Sequence, residues 1–461
     1  MVGRRAWRFI VAGLFVGGVG AGCGNSAPAQ PAGNGMEEPA PAPQVVDVDV
    51  PDEAPVSGEV LPPPEQTDPG TLPEEPDTGG PVEDPDPGTS PEEEPDPLPD
   101  PAECESIPQV TPEALGAWRF MGTMWEEYGQ YSSPITCDEP VPDGAGNVVL
   151  PLRWSGGSQD LYVGARDGWD LSGSGATFTP TSQSGGVLGF STPADGGLPW
   201  MTYLDTTSLE FTTLPAETAR VVMTAVDPTG GLRAFLADGT LKAYSATGEL
   251  RWSVPVSLSA PLKALGVDAQ GQTLLLAAGD TRFGASTVEG VWVDVAGQPG
   301  LPFLALGQAP AGTYELVPRA QEGLFLGVAS GVKSWVAAFK SLQRSSRPAP
   351  TWLAQDAGRP LLRLPAGTGY LRYARGGGSS WDCRHEVELI APSGQSCAQF
   401  QLPSQGAPEQ ACGPLKLAKD GTVTETLPSR SRTDGYYDSE GNRHSINSTA
   451  CRVRWWPALI Q

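Results

Sequence analysis

Two segments of this chain carry the same short pattern 41 residues apart, Ala225-Val226-Asp227-Pro228-Thr229-Gly230-Gly231-Leu232 and Leu265-Gly266-Val267-Asp268-Ala269-Gln270-Gly271-Gln272-Thr273-Leu274. An apolar run ends at an aspartate, a glycine turn follows, and a second apolar run begins. Around and after the first copy lie four strand-length runs: Arg220 to Val226, Leu232 to Leu236, Thr240 to Tyr244 and Glu249 to Val254. Their turns are Asp227 to Gly231, Ala237-Asp238-Gly239 and Ala246-Thr247-Gly248. Four short strands with tight turns cannot bury their apolar residues alone, so a period of about 40–45 residues requires neighbours that stack or close on themselves.

Weaker equivalents begin near Asn147, Gly186, Gly323, Gly369 and Lys416. The count gives an all-β β-propeller of seven four-stranded blades, with six and eight as the neighbouring counts and a pair of stacked β-sandwiches as the competing architecture. One helical signal stands ahead of the repeats. Thr111 is placed as N-cap and Pro112 at the first helical position, and Leu115, Trp118, Met121 and Trp125 fall at helical spacing. The sequence therefore predicts one short amphipathic helix leading in, its aromatic stripe packed as core.

The stretch from Gly239 to Trp252, GTLKAYSATGELRW, resembles the repeat of quinoprotein-type β-propellers, which recurs as a Gly-x-Leu-x-Ala strand, a Thr-Gly turn and a closing Trp. The resemblance covers one blade, so it implies the fold and not the cofactor chemistry; no cofactor is expected.

The N-terminal region follows different rules. Arg4, Arg5 and Arg8 precede an apolar, glycine-rich run from Phe9 to Val19, too short for the roughly 20 apolar residues that span a bilayer. This arrangement predicts an export signal. The following Val19-Gly20-Ala21-Gly22-Cys23 resembles the lipobox of bacterial lipoproteins, with Gly20 where that family usually has Leu. The resemblance implies that residues 1–22 are removed and that Cys23 is lipidated, giving a membrane anchor. Gly24 in place of Asp implies sorting to the outer membrane or cell surface.

From Gly24 to Glu103 the chain holds 21 Asp and Glu and no Lys or Arg. Proline fixes φ, like charges repel, and almost nothing apolar is available to offset ordering entropy. Residues 23–103 are therefore expected to form a disordered, extended linker, with a reach between roughly 50 and 250 Å. The competing uses are a ligand for proline-binding modules and a calcium-sequestering tract. From Cys104 on, 33 acids face 26 bases. That balance offers no basic stripe for nucleic acid.

Six cysteines remain in the 104–461 domain, an even number that in an exported chain indicates disulfides. Of the fifteen connectivities open to six cysteines, proximity in sequence favours Cys104 with Cys137. Cys383 with Cys397 and Cys412 with Cys451 is one pairing open to the other four. None of them has metal-ligand spacing, so no metal is expected.

Catalytic signals are weak. His385 and His444 are the only histidines and, flanked by charged or polar residues, read as surface groups. There is no Gly-x-Ser-x-Gly elbow. Asp434, Asp438, Glu440 and Asn442 read as a solvated turn, because the calcium-loop order fails. Gly376-Gly377-Gly378 lacks the Lys-Ser/Thr of a phosphate loop, and Glu386 and Glu388 read as decoration of a solvent face. The expectation is a non-enzymatic binding or scaffolding module for a protein or glycan. The alternative is an exported hydrolase or lyase with its site in the propeller channel.

Overall fold

The computed structural model describes residues 101–461, apart from 118, 126–134, 155–158, 165–168, 173–175, 184–185, 194–195, 280–285, 357, 376–383, 404–411 and 438. The export signal, Cys23 and the acidic linker up to residue 100 lie outside the described residues. No described helix is long and apolar enough to cross a membrane.

Seven antiparallel sheets account for the strands. The first strand, β1 (Arg119–Trp125), belongs to the last sheet. Blade 1 is β2 (Ile135–Cys137) with β3 (Val141–Pro142), then β4 (Val148–Trp154), β5 (Gln159–Val163) and β6 (Trp169–Ser172). Blade 2 is β7 (Ala176–Gln183), β8 (Val187–Pro193), β9 (Trp200–Asp205) and β10 (Glu210–Ala216). Blade 3 is β11 (Val221–Val226), β12 (Leu232–Leu236), β13 (Thr240–Tyr244) and β14 (Leu250–Pro255). Blade 4 is β15 (Leu262–Val267), β16 (Thr273–Ala278), β17 (Val288–Val293) and β18 (Phe303–Leu306). Blade 5 is β19 (Thr313–Pro318), β20 (Leu324–Ser330), β21 (Val332–Phe339) and β22 (Ser346–Pro348). Blade 6 is β23 (Leu361–Arg363), β24 (Tyr370–Arg375), β25 (His385–Ile390) and β26 (Ser396–Gln401). Blade 7 is β27 (Leu415–Leu417), β28 (Val423–Tyr437) and β29 (Arg443–Trp456), with β1 as its outer strand.

The first strand of each blade touches that of the next, β3 to β7 to β11 to β15 to β19 to β23 to β27 and back to β3. This closed circuit makes the domain a seven-bladed β-propeller. Its core follows from that geometry: the buried apolar residues fall into seven clusters, each straddling one boundary between neighbouring blades. Second strands are therefore covered on both faces, which explains why β12 and β16 are buried throughout, β16 reading as an apolar run after Thr273 and β12 as one broken only by Arg233. The outer strand β14 keeps Leu250, Arg251, Ser253 and Pro255 exposed.

The repeated aspartate has two tasks. Within its own turn, Asp268 Oδ1 accepts from the backbone N–H of Gln270 and Gln272, at 3.0 and 2.9 Å. Asp143 and Asp294 do the same in theirs. Across the blade boundary, Asp268 Oδ2 accepts from Gly323 N–H at 3.3 Å and from the Ser341 hydroxyl, and Asp143 Oδ2 accepts from Thr206 Oγ1 at 2.5 Å. Asp227 instead pairs with the buried Arg233 at 2.7 Å, whose guanidinium also stacks 5.2 Å from the Trp252 ring centroid. Burial lowers the Arg233 pKa against the opposing pull of Asp227.

Glycine is required at the αL corner of these turns. Gly421 sits at φ +78°, and a Cβ there would lie 1.8 Å from the Ile460 carbonyl oxygen. Gly421→Ala is expected to cost about 2 kcal/mol or more, from left-handed strain and the clash together, read as a fall in denaturation midpoint. A midpoint within error of the parent would show that this corner relaxes freely.

The sequence expectation for the helix needs correction. Only Pro112–Gly116 is helical (α1), and Thr111 makes no side-chain cap. Met121 and Trp125 belong instead to β1, which pairs with β29 from Arg119↔Trp455 to Trp125↔Thr449. The ring closes here, because the N-terminal strand completes the C-terminal blade.

Candidate functional site

The densest polar chemistry in the described core lies between blades 6 and 7. His385 opens β25, Glu425 lies near the start of β28, and Arg454 faces Glu425 across the ladder. His385 and Arg454 are each 3% exposed and Glu425 is fully buried. Glu425 Oε1 is 3.0 Å from His385 Nε2, while Oε2 accepts from Arg454 Nε at 2.8 Å and Nη2 at 2.6 Å. Tyr373 packs edge-on to the imidazole with ring centroids 5.4 Å apart. Its hydroxyl accepts from Leu415 N–H at 2.9 Å, and burial pushes its pKa up to about 12. The Cys412 sulfur completes the group: one donor atom from each of His385, Cys412 and Glu425 lies within 4.8 Å of the others. Cys412 itself is disulfide-bonded.

Two further polar groups tie a connecting segment to a blade. Glu217, on the connection into blade 3, accepts from Lys242 Nζ at 2.7 Å and from the Tyr244 hydroxyl. Burial, with Glu217 as the acceptor, raises the Tyr244 pKa. On blade 6, Arg372 donates to Glu388 Oε2 from Nε at 3.1 Å and Nη2 at 2.7 Å, and to Asp356. Burial alone would raise the Glu388 pKa, but hydrogen bonds from Ser396, Arg372 and Gln399 and the Arg372 charge outweigh it, so the carboxyl titrates below its ordinary value. A depressed folded pKa contributes stability above the unfolded value of about 4.3 and loses it as pH falls through the folded one. Between about pH 5 and 3 the parent is therefore expected to lose more stability than Glu388→Gln. Parallel stability curves for the two proteins would contradict this.

Several sequence expectations change at this point. His385 is buried between blades, not a surface group, because blade 7 covers the start of β25. Glu388 is buried and paired, whereas Glu386 is exposed as expected. Glu440 and Asn442 are exposed; the side chains of Asp434, Asp438 and His444, and the Gly376 to Gly378 run, lie outside the described residues.

Cysteine pairing by proximity is overturned where both partners are described. Cys104 bonds Cys397, 293 residues away, and Cys137 bonds Cys451, 314 residues away. The pairs Cys104 with Cys137, Cys383 with Cys397, and Cys412 with Cys451 are thus excluded. A propeller places its termini side by side, so cysteines distant in sequence become neighbours. The second bridge ties blade 1 to blade 7, and other contacts reinforce the same seam. Lys416 Nζ donates to Pro140 O at 3.0 Å and pairs with Glu139 at 3.1 Å, and Trp455 Nε1 donates to Gly146 O at 3.3 Å. Elsewhere, Gln109 ahead of β1 and Gln461 after β29 exchange backbone hydrogen bonds.

No family model matches the chain and no curated protein matches it. Among solved structures, the tricorn protease aligns at TM-score 0.41 and 10% identity over 70% of this chain, which spans 35% of that protein. The RRP9 WD40 repeats align at 0.37 and 13% over 71% of this chain and 97% of theirs, and the streptogramin B lyase at 0.34 and 10% over 72% and 97%. Likenesses this remote carry nothing about activity.

Proposed function

We propose that the chain is an exported, lipid-anchored envelope protein whose propeller is a non-enzymatic binding or scaffolding module for a protein or glycan, in the manner of quinoprotein-like outer-membrane lipoproteins. The observation that carries the reading is the pair of long-range disulfides, Cys104–Cys397 and Cys137–Cys451, since such bonds persist in oxidising compartments. The lipobox-like Ala21-Gly22-Cys23 and the acidic linker then supply anchor and spacer. The buried ionic groups described above are engaged with one another, within blade 6, on blade 3 and between blades 6 and 7, which favours recognition by the loops that end the blades over chemistry within them.

The test uses the full chain expressed in a Gram-negative host. Mass spectrometry of the mature protein is expected to find an acylated Cys23, and Cys23→Ser is expected to move the protein from the membrane fraction to the soluble envelope. An unmodified mature terminus would sink the anchor. Glycan arrays and crosslinking in intact cells then address the partner, while turnover of ester, glycoside or lactone substrates would favour the channel hydrolase or lyase.

A further inference from the structure

We propose that His385, Cys412 and Glu425 form a zinc site that exists only in the thiol form of Cys412, so that the disulfide at Cys412 and the metal are alternative occupants of one place. The donors are a thiolate, an imidazole and a carboxylate, each a donor type that zinc takes, and three protein ligands leave the fourth tetrahedral position for water. They lie within 4.8 Å of one another, one donor atom each. A second, independent observation points to a missing ligand: His385 Nδ1 is buried and has no hydrogen-bond partner, an arrangement rare for buried polar atoms. Arg454, held on Glu425 Oε2, leaves Oε1 as the oxygen facing His385 and would serve as the outer partner that orients a ligating carboxylate.

The disulfide keeps the site closed, because cysteine binds zinc as the thiolate and a disulfide sulfur is a far weaker electron-pair donor. Reduction by an external dithiol transfers two electrons and two protons to the bridge, giving Cys412 and its partner as thiols and the dithiol as its own disulfide. The Cys412 thiol then loses its proton as it binds the divalent ion. The two ring-closing bridges are not part of this step. The inference concerns the seam between blades 6 and 7; in the oxidising compartment proposed above the disulfide form is the resting one, and the metal form follows only on reduction.

Reductant would also attack the closing bridges, so the decisive protein is Cys383→Ser. Cys383 and Cys23 are the cysteines left to partner Cys412, and Cys383 is the one in the domain. The full chain with Cys383→Ser, purified without reductant, is titrated with zinc against a chromophoric chelator and with cobalt, whose thiolate charge-transfer absorption reports a sulfur ligand. Expected are one ion bound per chain, protection of Cys412 from alkylation, and no binding by the oxidised parent. Adding His385→Gln is expected to weaken binding beyond the roughly 10–100-fold that loss of an outer-shell partner costs, with circular dichroism unchanged. Absence of cobalt–thiolate absorption in natively folded Cys383→Ser overturns the proposal. So does equal affinity in the parent or in Cys383→Ser/His385→Gln.

Discussion

Replacing Cys137 and Cys451 together by alanine is expected to lower the unfolding free energy by about 4–5 kcal/mol at 25 °C. The size follows from topology. With Cys104–Cys397 intact, the loop that the second bridge closes runs through the first, along the 33 residues between Cys104 and Cys137 and the 54 between Cys397 and Cys451. A loop of nearly 90 residues falls just under the roughly 4.7 kcal/mol given for 100. Domains are typically stable by only about 5–15 kcal/mol, so this one bond decides whether the ring survives moderate heating. At about 2.1 cal/mol/K per residue, the expected fall in melting temperature is about 6 °C. Alanine is the proper replacement because Cys451 is fully buried, and serine would add a buried hydroxyl whose partner is not provided. Calorimetry of the double variant, with Cys104–Cys397 confirmed intact by mass mapping, checks the value. A shift under 1 °C would mean that β1, paired along its whole length with β29, already holds the closure without help.

That seam also separates what a linear reading of the chain can and cannot supply. Blade 3 was legible to within a residue, because each of its strands ends at a turn written in local residues, as at Asp227-Pro228-Thr229-Gly230. Equivalent turns elsewhere gave the right number of blades. The identity of β1 was not legible. Its partner strand lies more than 300 residues away, and nothing between Arg119 and Trp125 announces that pairing, while Met121 and Trp125 also fit a helical stripe. Disulfide connectivity failed for the same reason, since ring closure inverts the relation between sequence distance and spatial distance. His385 was misread because its flanks, Arg384 and Glu386, are exposed; its burial is imposed by blade 7. One signal did stand in the sequence. Val423 to Leu427 mixes polar with apolar residues, and Cys451 to Trp456, with Arg452 beside Arg454, alternates them, the pattern of strands with one face in water. The signal is that Glu425 and Arg454 are opposite charges on two such strands; their burial is set by the neighbouring blade.

The buried Glu425–Arg454 pair has a large energetic consequence. Glu425→Leu is expected to destabilise the protein by about 3–5 kcal/mol, because it strands the Arg454 guanidinium in the blade 6–7 core. Both close contacts from Arg454 end on the one oxygen, Oε2, and His385 Nε2 loses its acceptor in the same step. Glu425→Gln is expected to cost less, about 1–3 kcal/mol. Its carbonyl oxygen can still accept from Arg454, and its amide can donate to an imidazole in the opposite tautomer, so the geometry survives and only the charge is lost. Glu425→Leu/Arg454→Met removes both charges and is expected to recover most of the loss, since well-packed apolar replacements of a buried pair are often neutral or better. The measurement is a double-mutant cycle by chemical denaturation, with an expected coupling of about 2 kcal/mol or more. A cycle that closes with no coupling would mean that Arg454 is held by the Trp456 ring beneath it and by solvent reaching the seam, and that the ion pair contributes nothing to joining the two blades.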